Sequence, residues 1–321
     1  MPGASPLAAG GGERCGGSDD PADEKRAQPP RLRLPVHATI VEGVAIGSPG
    51  TICTLGDLLL DVIVRSAVPL ARGADSPVET RLSTGGQAAN VASWAAELGA
   101  PARCIAKSGA DPAGELARSL LAGRGVELVG PVEGRTGIVV ALVGADGERS
   151  MATDRGASPE LAPEEIDPSW LEGCSWLHVS GYGLLAEPIA EAALAAGRLA
   201  RARGASLSAD LSSWSSIRDY GAERFRANLE ALGPDVVFAN EPEWEMVGGA
   251  YALAETAVVK RGSRGVEVRT TKGVEEHPPL GSAVQDTTGA GDALAAGFLI
   301  GGIEVGLEAA ARCVGRLGAV P

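Results

Sequence analysis

Several familiar routes to chemistry are missing from this 321-residue chain. No Gly-Lys dipeptide occurs, which removes the Gly-x-x-x-x-Gly-Lys-Ser/Thr phosphate loop, and His-Arg-Asp and Asp-Phe-Gly are absent, which removes the protein-kinase plan. No Gly-x-Gly-x-x-Gly stands between a strand and a helix, so a dinucleotide-dependent oxidoreductase is disfavoured. The three histidines, His37, His178 and His277, lie far apart, and five scattered cysteines form no Cys-x-x-Cys pair. Transition-metal, His-triad and dithiol chemistry lose their usual carriers, and buried reduced thiols are expected. Basic charge is short as well. With 28 Lys and Arg against 41 Asp and Glu, the net charge of −13 argues against nucleic acid or an anionic membrane as main partner, since both need a basic face. No run reads as long and apolar enough to cross a bilayer, and no apolar core of signal-peptide length follows the start, so a cytoplasmic location is expected.

What is present points elsewhere. Asp286-Thr287-Thr288-Gly289-Ala290-Gly291-Asp292 precedes an apolar helical run, Ala293 to Leu299. Gly289, Ala290 and Gly291 are small enough for their amides to approach an anion closely, and the positive end of the following helix would point at the same spot. A carboxylate at Asp292 could take the proton of an attacking hydroxyl while those amides steady a transferred phosphoryl group. The simpler reading is a glycine turn with a capping aspartate. About two hundred residues earlier, Gly85-Gly86-Gln87-Ala88-Ala89-Asn90 opens another helix, with Val91, Trp94, Ala95 and Leu98 at helical spacing. Its paired glycines would admit a ligand, and Gln87 and Asn90, three apart, share one helix face.

These two motifs, in this order, resemble the signatures of the ribokinase-like (PfkB-type) carbohydrate kinases, and the resemblance covers about residues 50 to 318. It implies a sugar site at Gly85, Gly86, Gln87 and Asn90, an anion hole at Gly289, Ala290 and Gly291, and Asp292 as catalytic base. Three lesser features follow the same order. Asp61, in Gly56-Asp57-Leu58-Leu59-Leu60-Asp61, matches the carboxylate that holds sugar hydroxyls in that family. Asn240 and Glu243 resemble the Asn-x-x-Glu element that orders magnesium. Lys260, Gly262 and Gly265, with Thr288, resemble the nucleotide-binding positions. ATP, Mg2+ and a monovalent cation such as K+ are the implied cofactors.

The first 48 residues are rich in Gly, Pro, Ala and mixed charge, with no sustained period, and a disordered leader is expected there, or a start codon placed too far upstream. From 49 to 321 the pattern reads as one α/β domain. Apolar strands at Thr51–Leu55, Arg103–Ala106, Trp176–Val179, Ala205–Ala209, Val236–Ala239 and Ala257–Val259 alternate with helical segments such as Ala186–Ala202 and Ala222–Leu232. The expected fold is therefore a doubly wound, mostly parallel sheet flanked by helices, which the resemblance makes ribokinase-like. Two segments break the alternation, about 62–84 and 136–154, the second with a Gly144-Ala145-Asp146-Gly147 turn. They read as hairpins, either exposed at an edge or, as the resemblance implies, a small β lid over the sugar that also serves as a homodimer contact.

The expected activity is transfer of the γ-phosphoryl group of ATP to a hydroxyl of a sugar or sugar acid. A nucleoside kinase of the same fold, or a silent metabolite-binding protein, are the alternatives. The silent protein need not have kept both the base and the anion-hole glycines. A nucleoside site would gain from a stacking ring, and neither lid segment carries Phe, Tyr or Trp. The second segment with its flanks, Pro131–Ala157, does carry Arg135, Arg149 and Arg155, which could meet an acidic group on the substrate or merely face solvent.

Overall fold

The structure, a computed structural model, describes residues 50–144, 149–249 and 253–321. The leader expected over 1–48 and most of the Gly144–Gly147 turn lie outside the described residues. Strand β1 (Thr51–Leu55) leads into β2 (Leu59–Arg65) and β3 (Glu79–Gly85), and helix α1 (Gln87–Glu97) follows the glycine pair. Next come β4 (Ala102–Ile105), α2 (Pro112–Gly123) and β5 (Val126–Val129). Asp111 caps α2 by accepting from the Gly114 amide, with Pro112 at the first helical turn, where its missing N–H costs nothing.

Strands β6 (Thr136–Val143) and β7 (Arg149–Gly156) then leave the main body. They join β2 and β3 in a separate four-stranded sheet of order β3-β2-β6-β7, so the two hairpin segments expected from sequence form one lid. The chain returns through β8 (Cys174–Ser180), α3 (Ile189–Ala202), β9 (Ser206–Asp210), α4 (Trp214–Tyr220), α5 (Ala222–Leu232), β10 (Val236–Asn240) and α6 (Glu241–Met246). It closes with β11 (Thr256–Lys260), β12 (Val266–Thr270), β13 (Gly273–His277) and α7 (Ala290–Val314).

The main sheet has the order β13-β12-β11-β10-β9-β8-β1-β4-β5 and is parallel from β5 to β11, with an antiparallel hairpin at the far edge. Its central strands are covered on both faces, and the period of two is plain in β10. Val237 and Ala239 join a core with α3 and α5, whereas Val236 and Phe238 join an opposite core with α1, α2 and α7. The expected doubly wound α/β fold is the one observed.

The apolar run anticipated to Leu299 continues beyond Gly301 and Gly302, where non-helical backbone divides Ala290–Val314 into two helices and folds the second back on the first, so that a Cβ on Gly297 would meet Val305 and Gly306. By length and composition Ala290–Val314 is apolar enough to cross a membrane, at a mean hydropathy of 1.5 over its best stretch. More than half of that stretch is buried inside the protein, and Trp94 of α1 and Phe298 of α7 belong to one core. The Gly-Gly pair is a true helix end, so the run read to Leu299 stops where the first of the two helices does.

Candidate active site

In an open α/β sheet, ligands gather where strands end and their order reverses. Here β1 is flanked by β4 on one side and β8 on the other. The carboxyl ends of five neighbouring strands deliver Asp57, Ser180, Asp210, Asn240 and Lys260 to one edge. The amino ends of α1 and α7 meet there too, because Asn90 Nδ2 donates to Asp292 Oδ2 at 2.8 Å across 202 residues of chain.

Asp292 is 9 % exposed and has its pKa pushed up to about 7. Burial is the largest cause, and the charge of Asp210 adds to it. Asn90, Lys260 and Gln87 pull the other way, the two amides by hydrogen bonding to the carboxylate. Gln87 is itself held in place, since Ser180 Oγ donates to its Oε1 at 2.7 Å and Ser212 Oγ donates to the same atom. Ser212 is the one non-glycine residue with positive φ among the described residues, at 71°, a strained backbone held against that contact. Gln87 and Asn90, expected at the sugar, both stand at the Asp292 carboxylate.

The turn before α7 is shaped by its glycines. Gly289 has φ 76°, and a Cβ there would overlap the Ala319 backbone. The amides of Gly291 and Asp292 have no protein acceptor among the described residues, as expected of a helix start that can take an anion. Lys260 lies close beneath, for a Cβ on Gly291 would sit 3.1 Å from its Nζ. That ammonium donates to Asp210 Oδ2 at 2.6 Å. Burial alone would lower its pKa, but Asp210 and Glu243 outweigh burial and hold it above its ordinary value, so a fixed positive charge faces the turn. Lys260, expected at the nucleotide, thus stands beside the turn that opens α7. Gly262 and Gly265 remain in the turn joining β11 to β12, both with positive φ.

Asn240 and Glu243 satisfy each other. The Asn240 amide and Nδ2 each donate to a different Glu243 carboxylate oxygen at 2.8 Å, and the Glu243 amide donates back at 2.9 Å. This capping box starts α6, and burial pushes the Glu243 carboxyl up. With each Glu243 oxygen already accepting one bond, the pair suits magnesium held through intervening water.

On the lid, Asp61 is carried by β2 opposite Ser83. Its Oδ1 is buried with no hydrogen-bond partner, and burial pushes its pKa to about 6 against the pull of Arg149. A Cβ on Gly85 would overlap that oxygen, so the glycine is what lets the carboxylate lie there. Gly86, at φ 95°, lies against the Asp57 backbone. An orphaned carboxylate oxygen in such a place suits a hydroxyl donor.

Two lid arginines reach the main body. Arg149 donates to Asp286 Oδ2 at 2.7 Å and to the Thr288 hydroxyl, and Arg155 grips both oxygens of Asp57 at 2.7 Å. Arg135 is mostly exposed and pairs with Asp154. Asp57, Asp210, Ser180 and Ser212 carry no motif of their own. The one local signal was a polar residue at the end of an apolar parallel strand, where the fold places its sites. His178 is fully buried, with its pKa pushed down to about 4, and makes a bond to Ser208, so it is neutral and away from the base.

Comparison with known proteins agrees with this geometry. Residues 50–320 match the profile described as pfkB family carbohydrate kinase. The chain is similar to an ATP-dependent ribose-1-phosphate kinase of Halopiger xanaduensis, 37 % identical over 84 % of this chain and 93 % of that one. It is also similar to a fructokinase of Escherichia coli, 30 % identical over 82 % and 88 %. Among solved structures, an adenosine kinase from Sinorhizobium meliloti superposes with a TM-score of 0.75 at 26 % identity, over 85 % of this chain and 96 % of that one.

Proposed function

Because the chain belongs to the pfkB family of carbohydrate kinases, we propose that it transfers the γ-phosphoryl group of ATP to a hydroxyl of a sugar or sugar acid, with Asp292 as general base. The observation that carries this reading is the placement of Asp292: buried, of raised pKa, held by Asn90 and set among the unpaired amides at the start of α7. The acceptor hydroxyl would give its proton to Asp292 as its oxygen forms the new bond to phosphorus, and the bond from phosphorus to the ADP oxygen breaks. Of the expected anion-hole amides, Ala290 donates to the Thr287 carbonyl, so those of Gly289 and Gly291, with Lys260 beneath them, would hold the equatorial oxygens during transfer. Asp61 would orient the sugar by accepting from its hydroxyls. Magnesium would neutralise the nucleotide phosphates, water linking it to Asn240 and Glu243.

The lid would close over the acceptor and keep water from competing for the phosphoryl group. Its outer face, with Leu82 and Leu142 exposed, supports a second copy docking there, which sedimentation of the Leu82→Glu variant against wild type tests. Two relatives are named for ribose 1-phosphate and for fructose, both rich in hydroxyls, which supports a sugar acceptor for this chain. An assay with ATP and magnesium across pentoses, hexoses, sugar acids, sugar phosphates and nucleosides tests it. Turnover of nucleosides alone would replace the sugar reading, and no turnover of any acceptor would remove the kinase reading.

A further inference from the structure

Beside the site lies a cavity of about 440 Å³ that none of the roles above uses. Its walls come from three places: Ile63, Arg81, Leu82 and Ser83 of the lid, Arg124 just after α2, and the segment after α7 from Arg316 to Pro321. Three arginines therefore line one small space, and no Asp or Glu does so among the described residues. In a chain of net charge −13, such a concentration of unneutralised positive charge is unusual.

The arginines are not engaged elsewhere. Arg81 and Arg316 make no hydrogen bond or ion pair among the described residues, and Arg124 makes one bond, through Nη1, to the Leu120 carbonyl of its own helix. Arg124 Nε is buried without an acceptor. An unsatisfied buried donor carrying positive charge is costly, and a planar fork of this kind suits an oxyanion with several acceptors. Burial also pulls the Arg124 pKa down, which an anion beside it would reverse.

The cavity adjoins the acceptor side of the site. Ser83 lies directly across from Asp61 in the β2–β3 ladder, and Ile63 and Arg81 form the next pair on the same face, two residues further along. That step is about 7 Å along a strand, the reach of a small sugar. From the other wall, the Gly318 amide donates to Asp286 Oδ2, the same oxygen that Arg149 holds.

We propose that Arg81, Arg124 and Arg316 form a subsite for a phosphate monoester, and that the group bound there belongs to the acceptor, a sugar already phosphorylated at a position remote from the reacting hydroxyl. The inference rests on the kinase reading above and names the class of acceptor. Its product would carry two phosphates, so the reaction that supplies the substrate must itself leave a phosphate on the sugar.

The test uses the full chain, wild type and two variants, Arg124→Met and the double variant Arg81→Met/Arg316→Met. The double variant changes only exposed side chains, so it stays informative if Arg124→Met fails to fold. Calorimetric titration with inorganic phosphate and with ribose 1-phosphate is combined with turnover of ribose 1-phosphate against ribose. The expected result is a kcat/KM for the phosphorylated sugar at least tenfold above that for ribose, a gap that shrinks at least tenfold in the variants. A different pattern would keep the subsite but make its occupant a separate phosphorylated metabolite: no preference in turnover, with phosphate binding lost in the variants and shifting the KM for ribose in wild type. Equal binding of both probes by wild type and variants, or no binding at all, overturns the proposal. Loss of phosphate binding in the variants of a protein that turns over no acceptor would instead leave the subsite standing and remove the kinase reading.

Discussion

At the scale of single residues, Asp292 shows how the proposed catalytic role and stability pull apart. As the proposed base it has to be ionised to accept a proton, yet burial raises its pKa to about 7. A carboxyl whose folded pKa lies above its unfolded value contributes stability that is present below about pH 4 and lost as pH rises through about 7. Asp292→Asn should therefore lower kcat by about 10²–10⁴. The same variant should melt higher than wild type at pH 8, with the difference vanishing near pH 4. Steady-state assays and melting curves at the two pH values check both halves, and an unchanged melting difference across that range would refute the electrostatic account. Because the ionised form is active, wild-type kcat/KM should rise with pH through about 7. Asn90→Leu removes a donor that favours the charged form, so that rise should move to higher pH. If Asn90 touched only the sugar, KM would increase while the profile stayed in place.

At the scale of elements, β3 shows a strand end fitted to a neighbour's side chain. Gly85 leaves room for the Asp61 carboxylate, and alanine there would drive its Cβ into Oδ1. Gly85→Ala should raise the KM for the acceptor at least about tenfold, the equivalent of one displaced charge-assisted hydrogen bond, with the ATP KM changed much less. Equal effects on both substrates would mean that the strand, and not Asp61, had been disturbed. The two helix starts were legible from sequence because small residues and polar spacing sit together within six or seven positions. The alternation of strands and helices was legible for the same local reason. Asp57, Asp210 and Ser212 were not, since each acquires its role only from a partner distant in the chain: Arg155, Lys260 and Gln87 respectively. The lid arginines were visible as residues but not as contacts, because register across β6 and β7 decides which of them face inward. Arg135 then goes to the surface and Arg149 to the catalytic turn.

At the scale of the whole molecule, the lid sheet is tied to the body by two ion pairs, Arg149 to Asp286 and Arg155 to Asp57. Both are largely shielded from solvent, so loss of one partner leaves a costly charge behind. Arg149→Met should increase amide hydrogen exchange in β6 and β7 while leaving exchange in β8 to β10 unchanged, and mass spectrometry of the exchanged peptides checks this. Uniformly faster exchange would mean that the fold itself had weakened. A further consequence follows from α7, the apolar helix that carries the base. The ribosome delivers it after every strand of both sheets, so until it emerges the face built from Trp94, Leu121 and Phe238 lacks its cover. A growing chain is therefore adhesive until a single late event, the docking of this helical segment, both hides the sticky surface and brings Asp292 to its place beside Asn90.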